Sequence, residues 1–337
     1  MAAPWVRARA ATAGRRADLT GQVALVAGAS RGLGLLIARE LVAQGCRVAI
    51  CSRDETELGR AREDLERRAT AGADVLAVPC DLTDPAEIDR LVAEVTEKLG
   101  PVDVLVYVAG VIQVGPLESM TDRHFQLAVD TMLWGPVRLA RAVLPGMRQR
   151  GYGRIATVTS IGGRLGVPHL LPYCVAKFGA VGFSEALRAE LAGTGVTVTT
   201  VVPGLMRTGS HLRAHFTGRQ EREYAWFSIG ASAPLVAMDA DRAARRIVDG
   251  IRAGRREVVL TPLAKLVTRV HGVAPATTTA LMELMSRLLP SAPTGVAEAT
   301  GLAGTIEGRT ADHSLGSPLL RAVTVLGRRA AHRTNQL

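Results

Sequence analysis

Aromatic side chains are scarce: five Phe, four Tyr and three Trp in 337 residues. Nowhere do they alternate with Lys and Arg, which excludes a stacking platform for single-stranded nucleic acid, and no recognisable nucleic-acid module is present. Cysteine is as sparse, with only Cys46, Cys51, Cys80 and Cys174. None forms a C-x-x-C pair, so a disulfide scaffold or zinc knuckle is excluded and no metal site is expected. The four read as small buried hydrophobes of a reducing, cytoplasmic compartment, Cys174 included despite its place beside Tyr173. No uncharged apolar run reaches the roughly 20 residues that a bilayer-spanning helix needs. Arg15-Arg16 is followed by no hydrophobic stretch, which argues against a twin-arginine export signal.

Acidic residues are outnumbered, 31 Asp and Glu against 41 Lys and Arg, giving a formal net charge of +10. The basic residues are dispersed among acidic ones on helix faces, as in Arg60-Ala61-Arg62-Glu63-Asp64-Leu65-Glu66-Arg67-Arg68. That pattern is a solvated surface, with a general attraction for an anionic small ligand. Apolar residues make up 47% of the chain, enough for one large α/β core.

The chemistry is concentrated in Ser160, Tyr173 and Lys177. Tyr173 and Lys177 are four residues apart and share one helix face. Ser160 ends the apolar run Arg154–Thr159 thirteen residues earlier, so a strand end and a helix start can converge on one cleft. A phenol alone is a weak acid–base group at neutral pH, its ordinary pKa being about 10. A neighbouring ammonium lowers that value, and the serine hydroxyl can hold a substrate oxygen while the phenol protonates it. The hydride for such a reaction must come from a cofactor.

A cofactor loop stands at the other end. Gln22–Ala27 reads as a buried strand, Gly28-Ala29-Ser30-Arg31-Gly32-Leu33-Gly34 as a turn, and Leu35, Ile37, Leu41 and Val42 as the apolar stripe of the following helix. The glycines permit a tight turn and close approach of a pyrophosphate to the helix N-terminus. The second strand, Cys46–Cys51, ends at Ser52-Arg53, where a ribose-binding acid would be expected for NAD. Arg53 there, with Arg31 in the loop, favours a 2′-phosphate and hence NADP(H) over NAD(H).

These residues together resemble the short-chain dehydrogenase/reductase family. The matching positions are Gly28, Gly32 and Gly34; Asp81-Leu82; Ala109-Gly110; Ser160; Tyr173 and Lys177; and Pro203-Gly204 with Thr208, in that order over roughly residues 19–260. The resemblance implies a Rossmann-like, doubly wound parallel sheet and an NAD(P)-dependent oxidoreductase. It implies that Asp81 and Leu82 hold the adenine, that Ala109 and Gly110 lie by its ribose, and that Lys177 also holds the nicotinamide ribose. Pro203 and Gly204 would flank the nicotinamide, and Thr208 its carboxamide or the pyrophosphate. A homodimer or homotetramer built on the helices near His124 and Tyr173 is implied as well. Two positions depart from the family pattern. Tyr107-Val108 replaces an asparagine pair, and Met132 replaces an asparagine that shapes a helix kink and a water relay to the lysine.

Later strands are predicted at 74–79, 102–108, 154–159, 196–202 and 257–260, and helices at 84–99, 124–150, 173–192 and 241–253. The stretch Leu205–Met238, with His211, His215, Phe216, Tyr224, Trp226 and Phe227, is expected to cover a lipophilic carbonyl or alcohol substrate. Around this catalytic unit the sequence predicts a basic flexible tail over 1–18, a helical extension over 261–290 and a loosely ordered tail over 291–337. The extension carries the stripes Leu263-Leu266-Val267-Val270 and Leu281-Leu284-Met285-Leu288, suited to packing on the core or, secondarily, to peripheral membrane contact. The main alternative to a catalyst is a nucleotide-binding redox sensor with the same fold, a reading that rests on Met132 and the missing asparagines.

Overall fold

The structure, a computed structural model, describes residues 16–69, 74–233, 237–292, 304–317, 320 and 323–336. Seven strands form its centre: β1 (Val23–Ala27), β2 (Arg47–Ser52), β3 (Val75–Pro79), β4 (Val104–Tyr107), β5 (Gly153–Val158), β6 (Val196–Val202) and β7 (Glu257–Val259). Their order is β7-β6-β5-β4-β1-β2-β3 and every pairing is parallel. The pleat sends alternate residues of β1 to opposite faces. Ala24 and Val26 enter the core beneath α1 (Gly32–Ala43) and α8 (Ala240–Arg252), while Val23, Leu25 and Ala27 enter the core beneath α3 (Pro85–Lys98) and α5 (Gly135–Arg150). Burying each such Val, Leu or Ile contributes about 1.5–3 kcal/mol, which is why the strands read as unbroken apolar runs. Strand order reverses between β1 and β4, so a crevice opens outside their carboxyl ends.

One predicted helix is broken. The span expected over 124–150 consists of α4 (Asp122–Val129), a π-helical turn at Asp130–Trp134, and α5. Such a turn leaves backbone carbonyls without their usual i+4 partners, and the Tyr107 hydroxyl donates to the Thr131 carbonyl at 2.6 Å. Gly135 makes room for this contact, since a Cβ there would lie 2.0 Å from the Tyr107 oxygen. The kink is therefore present without the asparagine: Tyr107, from one substituted position, holds the turn that contains Met132, the other.

The 261–290 extension folds as a hairpin of α9 (Pro262–Val273) and α10 (Pro275–Ser286). Ala264 and Thr278 are its buried residues, while Leu266, Val273, Leu281, Leu284 and Leu288 are exposed. At the N-terminal end, residues 1–15 of the expected tail lie outside the described residues, and Ala17 already donates its N–H to the Arg252 carbonyl at 2.8 Å. The far end departs from the expected loose tail. Helices α11 (Gly308–Leu315) and α12 (Val325–Arg333) pack against α7 (Gln220–Ser232), and Ala311, Leu320 and Ala331 join a third core with Phe216, Tyr224 and Phe227. Polar contacts complete the docking: the Tyr224 hydroxyl meets Asp312 at 3.1 Å, and Arg328 pairs with the same carboxylate.

Candidate active site

Every residue singled out from the sequence as catalytic or cofactor-binding lines one cavity of about 540 Å3 at the carboxyl ends of the strands. Strand pairing puts them there. Gly28 follows β1, and its N–H donates to the Cys51 carbonyl of β2 at 3.0 Å; Ala109 follows β4 and donates to the Ala27 carbonyl at 3.0 Å. Ser160 follows β5, and the next residue, Ile161, donates to the Pro203 carbonyl at 2.8 Å.

The three loop glycines are required for separate reasons. Gly28 has φ +83°, and a Cβ there would stand 2.6 Å from the Ala109 backbone. A Cβ on Gly34 would lie 2.1 Å from the Gly28 carbonyl oxygen, so α1 could not pack on the loop. Gly32 has φ +59° and opens α1, whose N-cap residue Arg31 makes no side-chain capping bond. The Gly32 N–H is taken by the Thr334 carbonyl at 2.7 Å, which leaves the next N–H groups of the first turn to receive an anion, and the residues present fit a dinucleotide pyrophosphate.

Tyr173 and Lys177 stand on α6 (Leu171–Glu190). Ser160 caps a short turn, its Oγ accepting from the Gly162 N–H at 3.0 Å, and its hydroxyl stands near enough to the Tyr173 phenol to favour the phenolate. Lys177 is buried; its Nζ donates to the Val158 carbonyl at 2.9 Å and lies 5.7 Å from the Tyr173 ring centroid. Burial pulls the Lys177 ammonium down to about 8. Burial also pushes the Tyr173 phenol up to about 12, opposed by the Ser160 hydroxyl. This departs from the phenol lowered by lysine that the sequence predicts, because desolvation outweighs an ammonium that faces the ring. Met132 is buried beside these groups: a point one Cβ out from Gly110 lies 3.3 Å from its sulfur and 3.8 Å from Lys177 Nζ. A thioether fills the place of the relay asparagine and offers water only a weak acceptor.

The adenine-ribose corner differs from its sequence reading at one arginine. Arg31 pairs with the carboxylate of Glu57, which is buried and also accepts from Arg213 at 2.6 Å. Glu57 sets one negative charge against two guanidiniums, so the three together remain net positive toward a phosphate. Arg53 is exposed and makes no ion pair among the described residues, so its guanidinium is available to an anion at this corner of the cavity. Asp81 accepts from the Thr83 N–H and hydroxyl at 2.9 and 2.8 Å, which fixes its carboxylate at the rim.

The opposite wall is apolar. Ile112, Val167, Leu170, Trp226, Phe227 and Met285 line it. The aromatic cluster of the covering stretch is thus divided. Trp226 and Phe227 face the cavity, whereas Phe216 and Tyr224 meet edge-to-face at 5.5 Å on the side of the C-terminal helices. His169 adopts φ +62° and places Nδ1 2.9 Å from both oxygens of fully buried Glu223, which also accepts from Trp226 Nε1 at 2.7 Å. That pair anchors α7 to the loop before Tyr173. Two contributors were not visible in the sequence: Glu57, an ordinary helix acid by its surroundings, and Gln336, from a segment without an apolar stripe.

The short chain dehydrogenase family profile matches residues 22–215. A Streptomyces coelicolor protein described as a ketoacyl reductase is 42% identical over 220 residues, covering 64% of this chain and 83% of that protein. The Escherichia coli 3-oxoacyl-(acyl-carrier-protein) reductase FabG is 35% identical over 194 residues, covering 57% and 76%. The crystal structure of an actinorhodin polyketide ketoreductase variant with NADPH superimposes with a TM-score of 0.62 at 35% identity, over 71% of this chain and 95% of that one. A short-chain dehydrogenase from Streptomyces avermitilis gives 0.66 at 30% identity, over 79% and 97%. Profile, relatives and strand-end geometry agree: the chain belongs to the short-chain dehydrogenase family of NAD(P)-dependent oxidoreductases.

Proposed function

We propose that this enzyme reduces a ketone on a lipophilic or acyl chain, with NADPH as the cofactor and Ser160, Tyr173 and Lys177 as the catalytic residues. The observation that carries the reading is that these three side chains share one cavity with the whole set of nucleotide-loop residues. The bound dinucleotide supplies the hydride to the carbonyl carbon. Ser160 holds the carbonyl oxygen by a hydrogen bond. Tyr173, protonated at neutral pH because burial holds its pKa at about 12, donates its proton to that oxygen. Lys177, charged below about 8, steadies the negative charge left on the phenolate. In alcohol oxidation each proton moves the other way. Trp226, Phe227 and Met285 exclude water from the reacting carbon and suit an apolar chain. The ketoacyl reductases among the relatives support an acyl substrate.

The test is NADPH oxidation across β-ketoacyl thioesters, lipophilic ketones and aldehydes, with NADH in parallel. Turnover fastest with a long-chain β-keto compound is expected. Tight NADPH binding without turnover on any of them would return the redox-sensor reading, which no structural observation favours.

The exposed stripe Leu171, Val175 and Phe178 on α6, with Trp134 beside it, supports a homodimer through this face. Phe178→Glu is expected to split it in analytical ultracentrifugation, and an unchanged sedimentation coefficient would refute it. On the α9–α10 hairpin, exposed Leu266, Leu284 and Leu288 with Lys265, Arg269 and Arg287 support contact with an anionic lipid surface. Failure to float with anionic vesicles would remove that assignment. Four unpaired, buried thiols fit a cytoplasmic setting, which fractionation of the producing cells would test.

A further inference from the structure

The chain's last described residues lie on the glycine loop. After α12 the backbone turns at Asn335, whose φ of +56° is a left-handed conformation that asparagine tolerates. Thr334 accepts the Gly32 N–H on its carbonyl at 2.7 Å and donates its hydroxyl to the Thr208 carbonyl at 2.8 Å. Asn335 Nδ2 donates to the carbonyls of Ser30, at 2.8 Å, and Glu57, at 3.1 Å. The Gln336 carbonyl is held by Arg213 at 3.0 Å and by Arg309. The segment thus ties together two loops that stand on either side of the nucleotide cavity, one at residues 28–34 and one ending at Thr208.

Gln336 is the residue with unused capacity. Its side chain lines the cavity, it is 5% exposed, and its Oε1 has no hydrogen-bond partner among the described residues. Its Nε2 lies 2.7 Å from where a Cβ on Gly32 would stand. The unpaired amide oxygen costs about 1–3 kcal/mol, while the nitrogen beside Gly32 is a donor of the kind that phosphate oxygens accept from. A carboxamide offers a donor and an acceptor, which match phosphate oxygens and ribose hydroxyls.

We propose that residues Thr334–Gln336 form a fourth wall of the dinucleotide site and that the Gln336 amide contacts the bound nucleotide at its phosphate end. The inference rests on NADPH being the cofactor. Its test is NADPH affinity by isothermal titration calorimetry, with thermal unfolding of the ligand-free protein as a fold control. Gln336→Ala is expected to weaken NADPH binding about tenfold, the worth of one hydrogen bond to a charged group. Gln336→Glu sets a carboxylate beside the phosphates and is expected to weaken it further, and Gln336→Ala, which removes an unpaired buried amide, is expected not to lower the ligand-free unfolding temperature. Affinity equal to or tighter than the parent's in both variants would overturn the proposal, the tighter case making the segment a competitor for the loop. Weakened binding with an equally lowered unfolding temperature would also overturn it, as a merely structural role. A parent chain that binds no NADPH would instead overturn the cofactor assignment itself.

Discussion

At the scale of single residues, the site turns on how burial sets two protons. Lys177 is an ammonium whose pKa is drawn down to about 8, so it is charged below that pH and neutral above it. Tyr173, near 12, keeps its proton throughout this range. Carbonyl reduction is therefore expected to hold level up to about pH 8 and then to fall with the loss of one proton. A kcat/KM profile that stays flat to pH 10 would contradict the role given to Lys177. Arg53 carries the second residue-scale prediction. With Arg31 and Arg213 sharing the Glu57 carboxylate, removing the unpaired guanidinium in Arg53→Ala should weaken NADPH binding about 10–100-fold, the worth of a charge-assisted contact. NADH binding should change little. An equal loss for both nucleotides in a titration would assign Arg53 to general structure.

At the scale of elements, the π-helical turn shows two substitutions compensating each other. Tyr107→Phe keeps the ring in its buried place but leaves the Thr131 carbonyl without its donor. A cost of about 1–3 kcal/mol is expected, seen as a fall of a few degrees in unfolding temperature, with a lower kcat because Met132, in this turn, and Lys177 both lie against Gly110. An unfolding temperature equal to the parent's would show that the turn holds itself. Elements of this kind mark what the sequence could disclose. The strands and their terminal motifs were legible because a strand buried on both faces has a strong compositional signature and glycine spacing is dictated by backbone geometry. The kink was not read as retained, because tyrosine at 107 acts across 24 residues of sequence. Helices α11 and α12 were missed because Gly, Arg and His interrupt any apolar stripe in them, and their docking depends on contacts such as Tyr224 with Asp312 that no local pattern announces.

At the scale of the whole molecule, the catalytic core is clasped by its own C-terminal segment. His211 lies at that junction, fully buried against Tyr224 with Asp312 and Arg328 nearby, and neither ring nitrogen has a hydrogen-bond partner among the described residues. Burial lowers its pKa from 6.5 to about 4. The folded state thus binds its proton later than the unfolded chain, so stability is fully present above pH 6.5 and is lost as pH falls toward 4. The loss is about 3 kcal/mol at most, and His211→Phe should reduce it in denaturant titrations at the two pH values. Catalysis by this site requires Tyr173 to be the group that protonates the substrate oxygen. The most direct measurement compares single-turnover NADPH oxidation by the parent and by Tyr173→Phe on the best carbonyl substrate, with NADPH affinity measured alongside. A rate lower by about 10²–10⁴-fold at unchanged NADPH affinity is predicted; a rate within a few fold of the parent would contradict the mechanism.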